Sequence, residues 1–121
     1  MWNSGLTTSE RGEWKTPAKL YARLIAGRFD VSDTHNGTFD ALKDPWPSPW
    51  YCNPPYGRGI SEWMKLMRLS PGLALLPART DTKWFHEDVL PYARIEWIRG
   101  RLHFDDLGPA PFPSMLCYFK E

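Results

Sequence analysis

Trp50-Tyr51-Cys52-Asn53-Pro54-Pro55-Tyr56 is the stretch on which the fold turns. Its first three residues are an uninterrupted apolar run, the pattern of a strand buried on both faces, so Asn53 stands at the strand's carboxyl end. In open α/β sheets that edge is where ligands bind. The two prolines fix φ and lack N–H groups, so they hold the Asn53 side-chain carbonyl and the Pro54 backbone carbonyl as a rigid pair of acceptors beside the Tyr56 ring. Such a pair suits an –NH2 group on a flat ring, and with it methyl transfer to an exocyclic or amide nitrogen. The alternative is a Pro-Pro-Tyr turn that merely ends a strand.

Outward from this stretch, apolar strands alternate with helices. Ile60, Trp63, Met64 and Met67 recur at helical spacing and predict a helix over about 59–69, a stripe that also reads as plain core. Gly72 to Leu76 is a second continuous apolar strand, and Asp81 to Phe85 opens a helix running to about 90. On the other side, Thr16-Pro17 is a cap and first-turn pair for a helix over about 17–27, where Leu20, Tyr21, Leu24 and Ile25 recur until Gly27. Phe29 to Ser32 is a short strand, and the prolines between Asp44 and Pro49 make a loop. Near the C-terminus, Arg94–Ile98 and Arg101–Phe104 flank a Gly100 turn, and Met115–Phe119 is a last strand. The expected class is α/β, with a mainly parallel sheet and a C-terminal antiparallel hairpin. Residues 1–13 are polar and expected to be flexible, and 14–121 form a single domain.

Composition narrows the function. With 121 residues the chain has room for one core and no separate recognition domain. Fifteen Lys and Arg against 14 Asp and Glu leave a net charge of +1, so any nucleic-acid contact comes from local patches and not from a bulk basic field. Cys52 and Cys117 lack metal-ligand spacing and fit a reduced cytosolic protein without zinc. No apolar run approaches the roughly 18 residues of a membrane span, and the N-terminus has no signal-peptide core. His35, His86 and His103 are spaced neither as ligands nor as a nucleophile–base pair.

Trp14-Lys15-Thr16-Pro17, Tyr51 to Gly57, Leu75 to Phe85, Gly100-Arg101-Leu102-His103-Phe104 and Ala110 to Ser114, taken in this order, resemble the phage DNA N-6-adenine methyltransferase family. The resemblance covers nearly the whole chain from Trp14 onward. It implies a compact Rossmann-like methyltransferase fold, S-adenosylmethionine as methyl donor, DNA as partner and the adenine amino group as acceptor. The compartment would be the cytoplasm, that of the host cell if the chain is phage-encoded. One departure stands out, since the stretch from Asp30 to Asp40 is shorter than family members carry.

The resemblance assigns roles. Asn53, Pro54, Pro55 and Tyr56 form the catalytic clamp around a base rotated out of its stack, with Tyr56 stacking on the ring. Trp14, Thr16, Pro17, Asp30, Asp40, Leu42 and Asn53 are the expected donor-binding residues, with Asp33 as a register alternative to Asp30. Thr16 also reads as an ordinary helix cap, and the acids as plain turn formers. Phe104 or Phe112 supplies a second aromatic against the base, or else packs in the core. Arg58, Arg79, Lys83, Arg99 and Arg101 are candidate phosphate contacts, or simply solvated cations. Cytosine N4, an RNA base or a glutamine amide would satisfy the same clamp. A reading from another class is a non-catalytic nucleic-acid- or partner-binding remnant of the fold. Without a recognition domain, either sequence preference is loose or a second subunit helps, as in a homodimer.

Overall fold

Burial of Trp50, Tyr51 and Cys52, none of them accessible to solvent, makes this short run the centre of the parallel part of the sheet. The computed structural model describes residues 16–32, 39–57, 59–103 and 108–121. Trp14, Asp33, His35, Arg58, Phe104 and the expected flexible stretch 1–13 lie outside these residues. Among the described residues there are five strands: β1 (Phe29–Asp30), β2 (Trp50–Cys52), β3 (Gly72–Pro77), β4 (Ala93–Trp97) and β5 (Ser114–Phe119). They form one sheet in the order β1-β2-β3-β5-β4.

β1, β2 and β3 are parallel neighbours, whereas β5 pairs antiparallel with both β3 and β4. The sheet is therefore mixed: β1 to β3 are parallel, as expected, and β5 brings in the antiparallel pairings. The expected C-terminal hairpin differs. Arg101–His103 forms no strand, only an isolated bridge from His103 to Pro109, and β4 takes β5 as its partner instead. The reason is burial: Ser114–Phe119 is apolar enough to sit between two strands, while the residues after Gly100 are largely exposed.

Alternation along the strands sends side chains to two layers. Tyr51, Leu73, Leu75 and Leu116 face α1 (Ala18–Leu24), meeting Leu24, Leu20, Tyr21 and Ile25. Trp50, Cys52, Ala74, Leu76, Met115, Cys117 and Phe119 face the other way, against Ile60, Trp63, Met64 and Met67 of α2 (Ile60–Met67) and Phe85 and Val89 of a π-helical turn, Phe85–Val89. The helical stripe of α2 is thus core. Gly72 lies directly against Trp50, where an added Cβ would come within 2.0 Å of the indole. Among the described residues no helix is long and apolar enough to cross a membrane.

Two helices depart from the expected bounds. α1 starts at Ala18 with Pro17 as its N-cap and no side-chain cap, and it ends well before Gly27, whose φ of +75° carries the chain into β1. The third helix is a π turn, closed by the Leu90 N–H to the Phe85 carbonyl at 2.8 Å. Its start is capped by Thr82, whose hydroxyl accepts the Phe85 N–H at 3.2 Å and donates to the Arg79 carbonyl at 2.7 Å. Asp88 on this turn is buried and bonds Lys65 and Arg68, tying the turn to the α2 layer.

Candidate active site at the carboxyl edge of the sheet

β4 runs in the same direction as β1, β2 and β3, because each of β3 and β4 is antiparallel to β5. One edge of the sheet therefore collects the segments after β1, β2, β3 and β4 and the segment leading into β5. There the Ala78 N–H bonds the Pro113 carbonyl at 2.8 Å, and the Ile98 N–H bonds the Ser114 carbonyl at 3.2 Å. Asn53, Arg79, Arg99, Arg101 and Phe112 all belong to these segments, with Lys83 just beyond. α1 begins at the same edge, because Thr16 reaches the side chains of Tyr51 and Asn53.

Asn53 is fixed from two directions. Its backbone N–H donates to the Ser32 hydroxyl at 2.8 Å, and its Nδ2 donates to Thr16 Oγ1 at 3.2 Å. The amide's N–H end is thus turned to Thr16. Oδ1 is shielded from solvent. Pro54 is buried and Pro55 partly exposed, consistent with a rigid segment lying against the sheet edge.

Thr16 Oγ1 also lies 2.5 Å from the Tyr51 hydroxyl, so this residue is a bridge between Tyr51 and Asn53 rather than a helix cap. Burial drives the Tyr51 phenol well above its ordinary range, which keeps it neutral. Asp30 is held in parallel fashion. Its Oδ2 accepts the Tyr21 hydroxyl at 2.9 Å and its Oδ1 accepts the Ser32 N–H at 2.8 Å. Burial first, and then Asp30 itself, push the Tyr21 phenol up to about 12. Thr16, Tyr21, Asp30, Ser32, Tyr51 and Asn53 thus make one hydroxyl-rich cluster, with the Tyr21 and Tyr51 rings edge to face at 5.8 Å.

Other candidates fall elsewhere. Tyr56, expected to stack on a base, is 3% exposed, donates its hydroxyl to the Leu75 carbonyl at 3.2 Å and packs edge to face on Phe112. Its ring lies in the α2 layer and faces no solvent. Phe112 is likewise buried, which places it on the core side of its two possible roles. Asp40 closes its own turn, its Oδ1 taking the Leu42 N–H at 3.0 Å and its carbonyl taking the Asp44 N–H at 2.7 Å. Leu42 is exposed. The Arg79 side chain is partly buried, with Nε and Nη2 shielded from water. Lys83, Arg99 and Arg101 are exposed. Pro17 forms the start of α1.

Sequence reasoning missed Ser32, Tyr21 and Tyr51 as supports of this cluster. Ser32 was open to inference, since the parallel register Asp30 with Tyr51 sets Ser32 opposite Asn53. Among the described residues no group of His, Cys, Asp and Glu is arranged to hold a metal ion. The chain matches no family model, and neither a curated protein nor a solved structure gives a significant match.

Proposed function

We propose that the chain is an S-adenosylmethionine-dependent DNA methyltransferase acting on the N6 amino group of adenine. The observation that carries this reading is the position of Asn53 at the carboxyl end of a buried parallel strand, its side chain held by Thr16 and its backbone N–H by Ser32. The order of family-like segments along the chain supports adenine in DNA over other amino acceptors.

The donor set suits a polar, hydroxyl-bearing cofactor. The Asp30 carboxylate and the hydroxyls of Thr16 and Ser32 are linked to Asn53 by one or two hydrogen bonds, a grouping able to meet ammonium, carboxylate and ribose functions. Bound there, a sulfonium donor supplies an electrophilic methyl group. The residues of the chain do the rest. Asn53 Oδ1 and the Pro54 carbonyl each accept one hydrogen of the amino group, drawing its nitrogen out of conjugation with the ring. The lone pair so freed would face the methyl group that a sulfonium donor held there would supply, and the surplus proton would leave to water. Orientation and fixed acceptors account for the acceleration, since well-placed reactants remove about 7 to 11 kcal/mol of barrier. Lys83, Arg99 and Arg101, exposed on the segments at and just beyond this edge, take phosphates.

One observation favours the binding-remnant reading. β1 is an outer strand of two residues, and the Asp40 carboxylate is engaged in its own turn, so the donor side is slight. Calorimetry with S-adenosylmethionine separates the two: one-to-one binding supports the enzyme, and none at millimolar donor supports the remnant. Incubation with labelled donor and DNA, followed by nucleoside mass spectrometry, tests the activity itself. Methyladenine from the wild type and none from folded Asn53→Ala is the expected result.

A further inference from the structure

β4 is the outer strand at the other side of the sheet, and among the described residues no strand pairs with its free edge. The bond from the Ile98 N–H to the Ser114 carbonyl fixes the phase of its ladder, so the main chains of Arg94 and Glu96 turn toward β5. The N–H and C=O groups of Ala93, Ile95 and Trp97 therefore point out of the sheet. Natural edges are blocked by proline, bulges or inward charges, yet β4 has no proline and pairs with β5 without a bulge. Trp97, 58% exposed, sits on this edge, and the exposed Leu90 and Tyr92 lie just before it.

We propose that a second copy of this chain docks on β4, antiparallel, with the two-fold axis at Ile95. Only registers that set outward-pointing residues opposite one another complete the ladder, and the one centred on Ile95 uses the whole strand. It places Arg94 opposite Glu96 of the second copy and Glu96 opposite Arg94 of the second copy, at non-hydrogen-bonded positions where side chains come closest. The strand is thus charge-complementary to itself. Trp97 meets Ala93 of the second copy, a large ring over the smallest side chain of the strand. Both charges are already held on one face by Tyr118, whose ring lies 4.1 Å below the Arg94 guanidinium and whose hydroxyl donates to Glu96 at 3.0 Å. The contact is isologous, as two-fold dimers require. It joins two sheets into one and leaves the carboxyl edges facing opposite ways, so each copy presents its own Asn53 site.

The test is sedimentation equilibrium of the full chain and its charge reversals. The wild type is expected to form a dimer, Arg94→Glu and Glu96→Arg alone to shift strongly to monomer, and an equimolar mixture of the two to regain dimer mass. A monomeric wild type at hundreds of micromolar, or a dimer indifferent to both reversals, overturns the proposal. Hydrogen exchange checks it without substitution: the Ile95 and Trp97 amides gain protection with rising protein concentration if the edge pairs, and exchange at one rate throughout if it does not.

Discussion

Thr16→Val removes one oxygen and keeps the shape of the side chain, which makes it the sharpest probe of how Asn53 is held. The variant deprives Asn53 Nδ2 and the Tyr51 hydroxyl of the same partner. Tyr51 is fully buried, and Thr16 is the only hydrogen-bond partner of its hydroxyl among the described residues. Leaving such a group unsatisfied costs about 1–3 kcal/mol, and the partly buried Asn53 contact adds about 0.5–1 kcal/mol. A total of about 1.5–4 kcal/mol is a sizeable share of the roughly 5–15 kcal/mol that holds a domain together. At about 4 °C per kcal/mol the melting temperature falls by about 10 °C. Urea and thermal denaturation measure both. Thr16→Ser, which keeps the oxygen, stays within about 1 kcal/mol of wild type, and in a Tyr51→Phe background Thr16→Val costs about 1 kcal/mol less. Methyl transfer by Thr16→Val drops at least about tenfold at saturating substrate, equivalent to about 1.4 kcal/mol, because the amide is no longer oriented. A Thr16→Val variant that melts and transfers like the wild type, or a Thr16→Ser variant as impaired as Thr16→Val, refutes the bridge.

Three further outcomes follow from the packing and charge. Gly72→Ala drives a methyl group into the Trp50 indole, which is pinned by its N–H to Ser70, so it destabilises by about 3 kcal/mol in urea titration, and Trp50→Phe in the same chain relieves part of the loss. Asp88→Asn costs only about 1–2 kcal/mol despite the burial of Asp88, because Lys65 and Arg68 are exposed enough to rehydrate once the carboxylate is gone; a loss above about 4 kcal/mol would contradict this. Burial raises the Cys117 thiol from 9.0 to about 12, and burial with the Asp30 bond raises the Tyr21 phenol from 10.0 to about 12. Both groups keep their protons longer when folded, so their stabilisation is complete below the ordinary values and is lost as pH climbs from about 9 to 12. Urea midpoints that hold level or rise across that window would show the sign to be wrong, and Tyr21→Phe flattens the upper part of the decline.

Periodicity and burial made much of the fold legible. The apolar run Trp50–Cys52 is β2 at its expected bounds, Gly72 opens β3, and the stripe from Ile60 to Met67 is the buried face of α2. The insertion of β5 between β3 and β4 was not legible, because antiparallel pairing over long sequence separation leaves no local pattern. The π turn at Phe85–Val89 shares its apolar spacing with an ordinary helix. At the site, the position of Asn53 followed from strand and proline chemistry, but the direction of the Tyr56 ring did not. Prolines set the backbone before Tyr56 without choosing the layer its ring enters, and contact with Phe112 and a hydrogen bond to the Leu75 carbonyl hold it in the core. Thr16 reads as a cap in any Thr-Pro sequence, and only the fold brings it to Tyr51 and Asn53, more than thirty residues away.

The central claim is that Asn53 grips an adenine amino group for methylation, and nucleoside mass spectrometry of DNA incubated with the protein and isotope-labelled S-adenosylmethionine tests it most directly. The account predicts labelled N6-methyladenine from the wild type and none from Asn53→Ala with an unchanged melting temperature. Unlabelled DNA from the wild type, label on cytosine, or equal labelling by the two proteins contradicts it.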